Sequence, residues 1–168
     1  MFDFGEIWAF PTDTSFGLGV RADDEAGLER LYALKKRPAG KFFSLVVRDF
    51  EMLERFAEIP EGVDTFFFME RPRTAILKPK KLLPQSKFWP RGQVAFRIST
   101  IGEIARNINF PVTATSANFS SEDPIFEVEE LQRKLGDQIK IYDKIKKLHF
   151  SDPSEIWDFT QKIPKQIR

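Results

Sequence analysis

Short apolar runs of strand length alternate with stretches of helical periodicity along most of this chain, and that alternation restricts it to layered α/β architectures. Residues 7–10 read as a short buried strand stopped by Pro11, followed by a polar, glycine-bearing turn over residues 12–19. Asp23 and Asp24 offer an N-cap, after which Leu28, Leu31 and Leu34 recur at helical spacing until Pro38. Residues 42–47 form a second apolar strand, and Asp49 caps a helix whose Met52, Leu53, Phe56 and Ala57 share a face. Val63, Phe66 and Phe67 suggest a further short helix, and residues 74–77 are strand-like. In Val94-Ala95-Phe96-Arg97-Ile98 the alternation puts Val94, Phe96 and Ile98 on one side and turns Arg97 to the other. Ile101, Ile104, Ala105 and Ile108 make the next helix, residues 112–115 the next strand, and Val128, Leu131 and Leu135 a helix ended by Gly136. Residues 139–142 and 156–159 complete the strands, and several connections are too short for crossovers, so the predicted sheet is mixed.

At 168 residues the chain is predicted to be a single domain over 1–168. With 42% hydrophobic and 30% charged residues it has the material for a sizeable core and too little bias for disorder. The absence of cysteine removes disulfides, thiolate nucleophiles, cysteine zinc sites and iron–sulfur clusters, and the single histidine, His149, removes paired-histidine metal sites. Catalysis must therefore lean on carboxylates, hydroxyls, lysine, arginine and backbone amides. No residue group suggests a protein-ligated metal. Lys and Arg number 26 against 25 Asp and Glu, so any affinity for polyanions must come from a local patch. No apolar run has the length of a membrane span and the opening residues are acidic, which predicts a cytoplasmic protein without membrane association.

Ligand crevices of open α/β sheets form beyond strand ends, and three polar segments are expected there: residues 12–19, 35–41 and 116–121. Lys35, Lys36 and Arg37 end a helix just before Pro38, with Lys41 following. Such cations answer the negative end of a helix dipole, and they equally suit a polyphosphate clamp in which arginine supplies a fork and lysine a mobile charge. Ser116 and Asn118 leave a strand as turn formers, or as a hydroxyl and amide able to hold a phosphate or base. The segment Thr12-Asp13-Thr14-Ser15-Phe16-Gly17-Leu18-Gly19 matches no phosphate-loop fingerprint, and within it Asp13 is the one carboxylate near enough for metal or proton duty. Residues 78–92 carry three prolines, several cations and no carboxylate, which predicts a mobile basic loop: solvated surface or an RNA contact. His149 sits in a lysine-rich turn and reads as surface.

Taken together, five segments in order resemble the YrdC/TsaC family of threonylcarbamoyl-AMP synthases, in its short bacterial TsaC type. Ala9-Phe10-Pro11-Thr12-Asp13-Thr14-Ser15-Phe16-Gly17-Leu18-Gly19 is similar to the family's opening motif, and Leu34-Lys35-Lys36-Arg37-Pro38 to its K-x-R element. Ala95-Phe96-Arg97-Ile98 resembles the strand that brings an arginine to the site. Thr115-Ser116-Ala117-Asn118-Phe119-Ser120 resembles the S-x-N element, and Asp152-Pro153-Ser154-Glu155-Ile156 the late P-S-x-I motif. The resemblance implies a YrdC-like twisted mixed parallel and antiparallel sheet flanked by helices, with an open concave basic face. It implies formation of threonylcarbamoyl-AMP and pyrophosphate from L-threonine, bicarbonate and ATP with Mg2+, and transfer of the adenylate to a separate tRNA threonylcarbamoyltransferase, with tRNA contact on the basic face. By carry-over Lys35 and Arg37 are catalytic, Lys35, Arg37, Lys41, Ser116 and Asn118 hold ATP, and Thr12, Thr14 and Arg97 line the threonine side.

The chain departs from the family at four places. Glu70-Arg71-Pro72-Arg73-Thr74 stands where a P-G-P-x-T stretch is usual, Phe42 where a proline follows the lysine, and Ser121 where a glycine follows the S-x-N element. The ends are short, and the length predicts no fused C-terminal domain. The rival reading is a non-catalytic RNA-binding module of the same fold using residues 78–92. Retention of both Lys35-x-Arg37 and Ser116-x-Asn118 favours the enzyme, because an RNA binder needs positive surface but no paired clamp. Carbamoyltransferase maturation proteins embed a similar domain but carry cysteine zinc sites, which this chain lacks.

Overall fold

Asp24 starts the first helix by accepting from the Gly27 amide at 2.9 Å, and it also takes the Gly5 amide at 2.7 Å, tying the N-terminal segment to α1 (Glu25–Leu34). Asp49 and Asp64 cap α2 (Phe50–Phe56) and α3 (Thr65–Met69) in the same way, each at 2.8 Å. The remaining helices are α4 (Gly102–Ala105) and α5 (Val128–Leu135). The strands are β1 (Trp8–Pro11), β2 (Phe16–Gly19), β3 (Ser44–Val47), β4 (Arg73–Leu77), β5 (Val94–Ile98), β6 (Val112–Ser116), β7 (Lys140–Ile141), β8 (Glu155–Asp158) and β9 (Lys165–Gln166). This is a computed structural model, and it describes residues 1–38, 40–119 and 122–168.

The strands form one mixed sheet in the order β7-β1-β2-β6-β3-β5-β4-β8-β9. The pairs β1–β7, β3–β5 and β4–β8 are parallel, and the other five are antiparallel. Alternation along the central strands buries Leu45, Val47, Ala75, Leu77, Val94, Phe96 and Ile98 on one side, where α2 and α3 pack. Phe10, Phe16, Phe43, Phe56, Phe68 and Phe96 are among the largest fully buried side chains, each worth about 1.5–3 kcal/mol of transfer free energy.

Several expectations from the sequence change. Residues 16–19 are not loop but β2, the return strand of a hairpin whose turn is only residues 12–15. The helix expected from Ile101 to Ile108 shrinks to the single turn α4, and α3 buries Phe67 and Phe68 while Phe66 faces out. Residues 78–92, expected to be mobile, are anchored: Leu83, Phe88 and Trp89 are buried, the Phe43 amide donates to the Phe88 carbonyl at 2.9 Å, and Lys87 pairs with Glu29 on α1 at 2.7 Å. The charged stretch at Glu70 and Arg71 is absorbed into ion pairs, with Arg73 reaching Glu70 at 2.8 Å and Glu155 at 3.0 Å, and Arg71 reaching Glu155 at 3.2 Å. Ser120 and Ser121 lie outside the described residues.

Gly19 is required by space. A Cβ there would stand 2.2 Å from the Thr113 carbonyl oxygen and 2.8 Å from Phe10 Cε1, both fixed by the sheet. Gly19→Ala is therefore expected to cost roughly 3 kcal/mol, as overpacking against backbone does. In calorimetry that is a fall of about 6–12 °C in Tm for a chain of this size. An unchanged Tm would mean that β2 and β6 separate freely.

Candidate active site

Opposite the packed side, the sheet carries small and polar residues. Ile76 of β4 pairs with Asp158 on β8 and with Ala95 on β5, while Ser44 pairs with Ala114, so these side chains fall on one concave floor. Residues 12–15, residues 41–43, the end of β6 and residues 150–154 rise around it and enclose a cavity of about 1000 Å³. Arg37, Lys41, Arg97 and Arg168 line it, and Asp158 is the single carboxylate among the described lining residues.

The K-x-R element divides its two cations by a helix-ending turn. Lys36 adopts a left-handed φ of 46°, the Lys36 amide donates to the Ala33 carbonyl at 2.9 Å, and the Arg37 amide donates to the Tyr32 carbonyl at 3.3 Å. This paired bonding reverses the chain at the end of α1. Lys35 is thereby sent inward and Arg37 outward. Lys35 is 2% exposed, and its ammonium donates to the Ser116 carbonyl at 2.6 Å, to Asn118 Oδ1 at 2.8 Å and to the Asn118 carbonyl. Burial, reinforced by the positive charges of Arg37 and Lys41 and opposed by Glu122, pushes its pKa down to about 8, so the ammonium remains charged at neutral pH.

Arg37 faces the cavity with part of its fork already engaged. Its guanidinium donates to Thr115 Oγ1 at 2.8 Å and to the Phe42 and Lys41 carbonyls at 2.6 and 3.0 Å, and it lies over the Phe43 ring at 4.9 Å. Burial lowers its pKa from the usual arginine value. Three of its five N–H donors are engaged among the described residues, and two face a ligand. The Ser116 hydroxyl, at the cavity wall, donates to Asn118 Oδ1 at 2.6 Å. Asn118 is buried, with its amide nitrogen donating to the Glu122 carbonyl, and neither it nor Lys35 lines the cavity.

In the β1–β2 turn, Thr12 Oγ1 donates to the Ser15 carbonyl at 2.7 Å and accepts the Thr14 and Ser15 amides at 3.3 Å each. Its hydroxyl is committed to the turn, whereas Thr14 Oγ1 meets only Thr12 Oγ1, at 3.2 Å, among the described residues. Asp13, which the sequence offered for metal or proton duty, is instead ion-paired to Arg97. Burial lowers the Arg97 pKa, with Asp13 opposing that shift and Arg168 adding to it.

The structure brings Thr12, Thr14, Arg37, Lys41, Arg97 and Ser116 to one cavity and keeps Lys35 and Asn118 behind its wall. It also adds residues to which the sequence assigned no role. Ser154 bonds Thr74 Oγ1 at 3.0 Å, and Arg168 donates to the Ser154 carbonyl at 3.0 Å and to Ser154 Oγ at 3.4 Å. The P-S-x-I motif was a usable signal for Ser154. Arg168 follows a two-residue strand, too short for any periodicity. A neighbouring cavity of about 840 Å³, lined by Lys80, Lys81, Lys87 and Arg91, shares Phe42 and Pro90 with the first.

Among the described residues no helix is long and apolar enough to cross a membrane. The chain is similar to the threonylcarbamoyl-AMP synthase of Vibrio vulnificus, at 30% identity over 164 residues covering 92% of this chain and 87% of that one. Several solved structures share its fold, two of them as follows. Pyrococcus abyssi Sua5, solved in complex with L-threonine, superposes with a TM-score of 0.84 at 28% identity over 98% of this chain, which spans about half (50%) of that protein. The MTH1692 protein of Methanobacterium thermoautotrophicum gives a TM-score of 0.73 at 34% identity, covering 98% of this chain and 80% of that one. A family profile described as telomere recombination, that of Sua5, YciO and YrdC, matches residues 1–168, and the chain belongs to the Sua5/YciO/YrdC family.

Proposed function

We propose that this protein is a threonylcarbamoyl-AMP synthase acting as one unit over residues 1–168, joining L-threonine, bicarbonate and ATP and releasing pyrophosphate. The observation that carries this reading is the convergence of Arg37, Lys41 and Ser116 with Thr14 and Arg97 on one cavity. ATP enters as its Mg2+ complex. The two free N–H groups of Arg37, with Lys41, grip the phosphates and stabilise the charge that develops as a carboxylate oxygen of N-carboxy-threonine attacks the α-phosphorus and pyrophosphate leaves. Ser116 transfers its hydrogen bond from Asn118 Oδ1 to a phosphate oxygen, and Lys35 keeps that amide oxygen satisfied. On this reading Lys35 and Asn118 position the wall in place of the direct phosphate contact that the resemblance implies. Arg97 and Thr14 hold threonine, while Thr12 shapes the turn. The adenylate passes in the cytoplasm to a separate transferase that modifies tRNA, with Lys81 and Arg91 of the neighbouring groove, which Glu25 also lines, as the cations for tRNA contact.

Pyrophosphate release with MgATP and bicarbonate, measured with and without L-threonine and with trapping of the labelled adenylate, tests this reading. Threonine-dependent release is expected. Folded protein that binds RNA but never releases pyrophosphate would instead favour the non-catalytic module. In the same assay Arg97→Ala is expected to raise the KM for threonine at least 10-fold and leave that for ATP within about twofold, from loss of a charge-assisted bond. An unaltered threonine dependence would remove Arg97 from the threonine side.

A further inference from the structure

We infer that Asp13 is a positioning residue that fixes the direction in which Arg97 presents its guanidinium to the carboxylate of the amino-acid substrate, an assignment that rests on the synthase reading above. Arg97 stands on β5 in the interior of the sheet, and Asp13 stands in the β1–β2 turn at the cavity's edge, in direct contact with it, so the pair joins two parts of the fold 84 residues apart in sequence. Both side chains are largely shielded, at 11% exposed for Arg97 and 19% for Asp13. A long arginine side chain otherwise samples many rotamers, and one charge-assisted bond to a fixed acceptor removes most of that freedom.

The acceptor is fixed because its turn is. Thr12 Oγ1 bonds three backbone groups of residues 14 and 15 from inside the turn, and the Thr12 amide donates to the Ser15 carbonyl at 3.0 Å. Asp13 therefore projects from a four-residue loop with its backbone tied at both ends. It engages one Nη of Arg97, and among the described residues the other donors of the fork remain for a second carboxylate. Arg168 lines the same cavity with its guanidinium held by Ser154, so an amino-acid carboxylate arriving there meets two cations with Arg97 already aimed. Position rather than charge is the contribution of Asp13, since its own negative charge opposes an anionic ligand.

Asp13→Asn keeps an oxygen acceptor of the same shape without the charge, and Asp13→Ala removes both. The alanine variant is expected to raise the threonine KM at least 10-fold with the ATP KM within about twofold, and the asparagine variant to recover to within about threefold of the parent. The Arg97 guanidinium N–H signals, followed by nitrogen-15 NMR, are expected to be exchange-protected in the parent and the asparagine variant and to broaden in the alanine variant. Equal damage in both variants, or parent-like threonine KM in Asp13→Ala, would overturn the assignment. A parent protein without threonine-dependent turnover would sink the synthase reading. The NMR comparison would still decide separately whether Asp13 orders Arg97, with unchanged signals in Asp13→Ala overturning it.

Discussion

Lys35→Met is expected to lower the thermal midpoint by roughly 10–15 °C and to abolish most adenylate formation. Methionine fills much of the lysine volume but donates nothing. The carbonyls of Ser116 and Asn118 then lose their shared donor inside the protein, and among the described residues Asn118 Oδ1 keeps only the Ser116 hydroxyl. Leaving a buried neutral acceptor without its donor costs about 1–3 kcal/mol, several are left here, and each kcal/mol is worth about 2–4 °C at this chain length. The effect on turnover follows because the same segment carries Ser116 into the cavity. NMR of carbon-13-labelled lysine supplies an independent check: one lysine should titrate near pH 8, and that signal should vanish in the variant. A variant that melts with the parent would show that the segment from Ser116 to Asn118 holds its shape without the ammonium.

Arg37→Ala is expected to reduce kcat/KM for ATP by roughly 100-fold or more while the threonine KM changes little. Two charge-assisted bonds to phosphate at about 1.5–3 kcal/mol each account for that size, and they strengthen as the α-phosphate gains charge. The same guanidinium also ties residues 41 and 42 and Thr115 together, so part of the loss is geometric. Arg37→Lys separates the two contributions. It restores a charge but cannot reproduce three bonds in a fixed fork, and is expected to recover only a minor part of the activity. Full activity in Arg37→Ala would remove this residue from the phosphate site.

Much of the fold was legible because its signals are local. Asp24 and Asp49 announced two helix starts within three residues of the amides they cap, and the alternation over residues 94–98 put Arg97 on the correct side of β5. Strand β2 was hidden because its two glycines signal a turn, which outweighed the alternation of Phe16 and Leu18 with them. Edge strand β7 was expected within residues 139–142, whereas β9 is two residues long and polar, below the reach of any periodicity. At the site, the composition of the clamp was visible but its orientation was not. Whether Lys35 or Arg37 faces the ligand depends on the left-handed backbone at Lys36, a residue without the glycine that usually marks such a turn. The Asp13–Arg97 pair links residues far apart in the chain and leaves no local trace.

The two shortest strands also govern how this molecule behaves in a crowd. Wide sheets are prone to grow by adding a strand from another molecule, because an outer strand offers a row of unused backbone donors and acceptors. Here both outer positions hold only a dipeptide, Lys140–Ile141 at one border and Lys165–Gln166 at the other, each with an exposed lysine. A stray strand finds too short a template to zip onto and meets a positive charge when it tries. The sheet can thus carry a wide open floor for its ligands while its borders discourage stacking into fibrils.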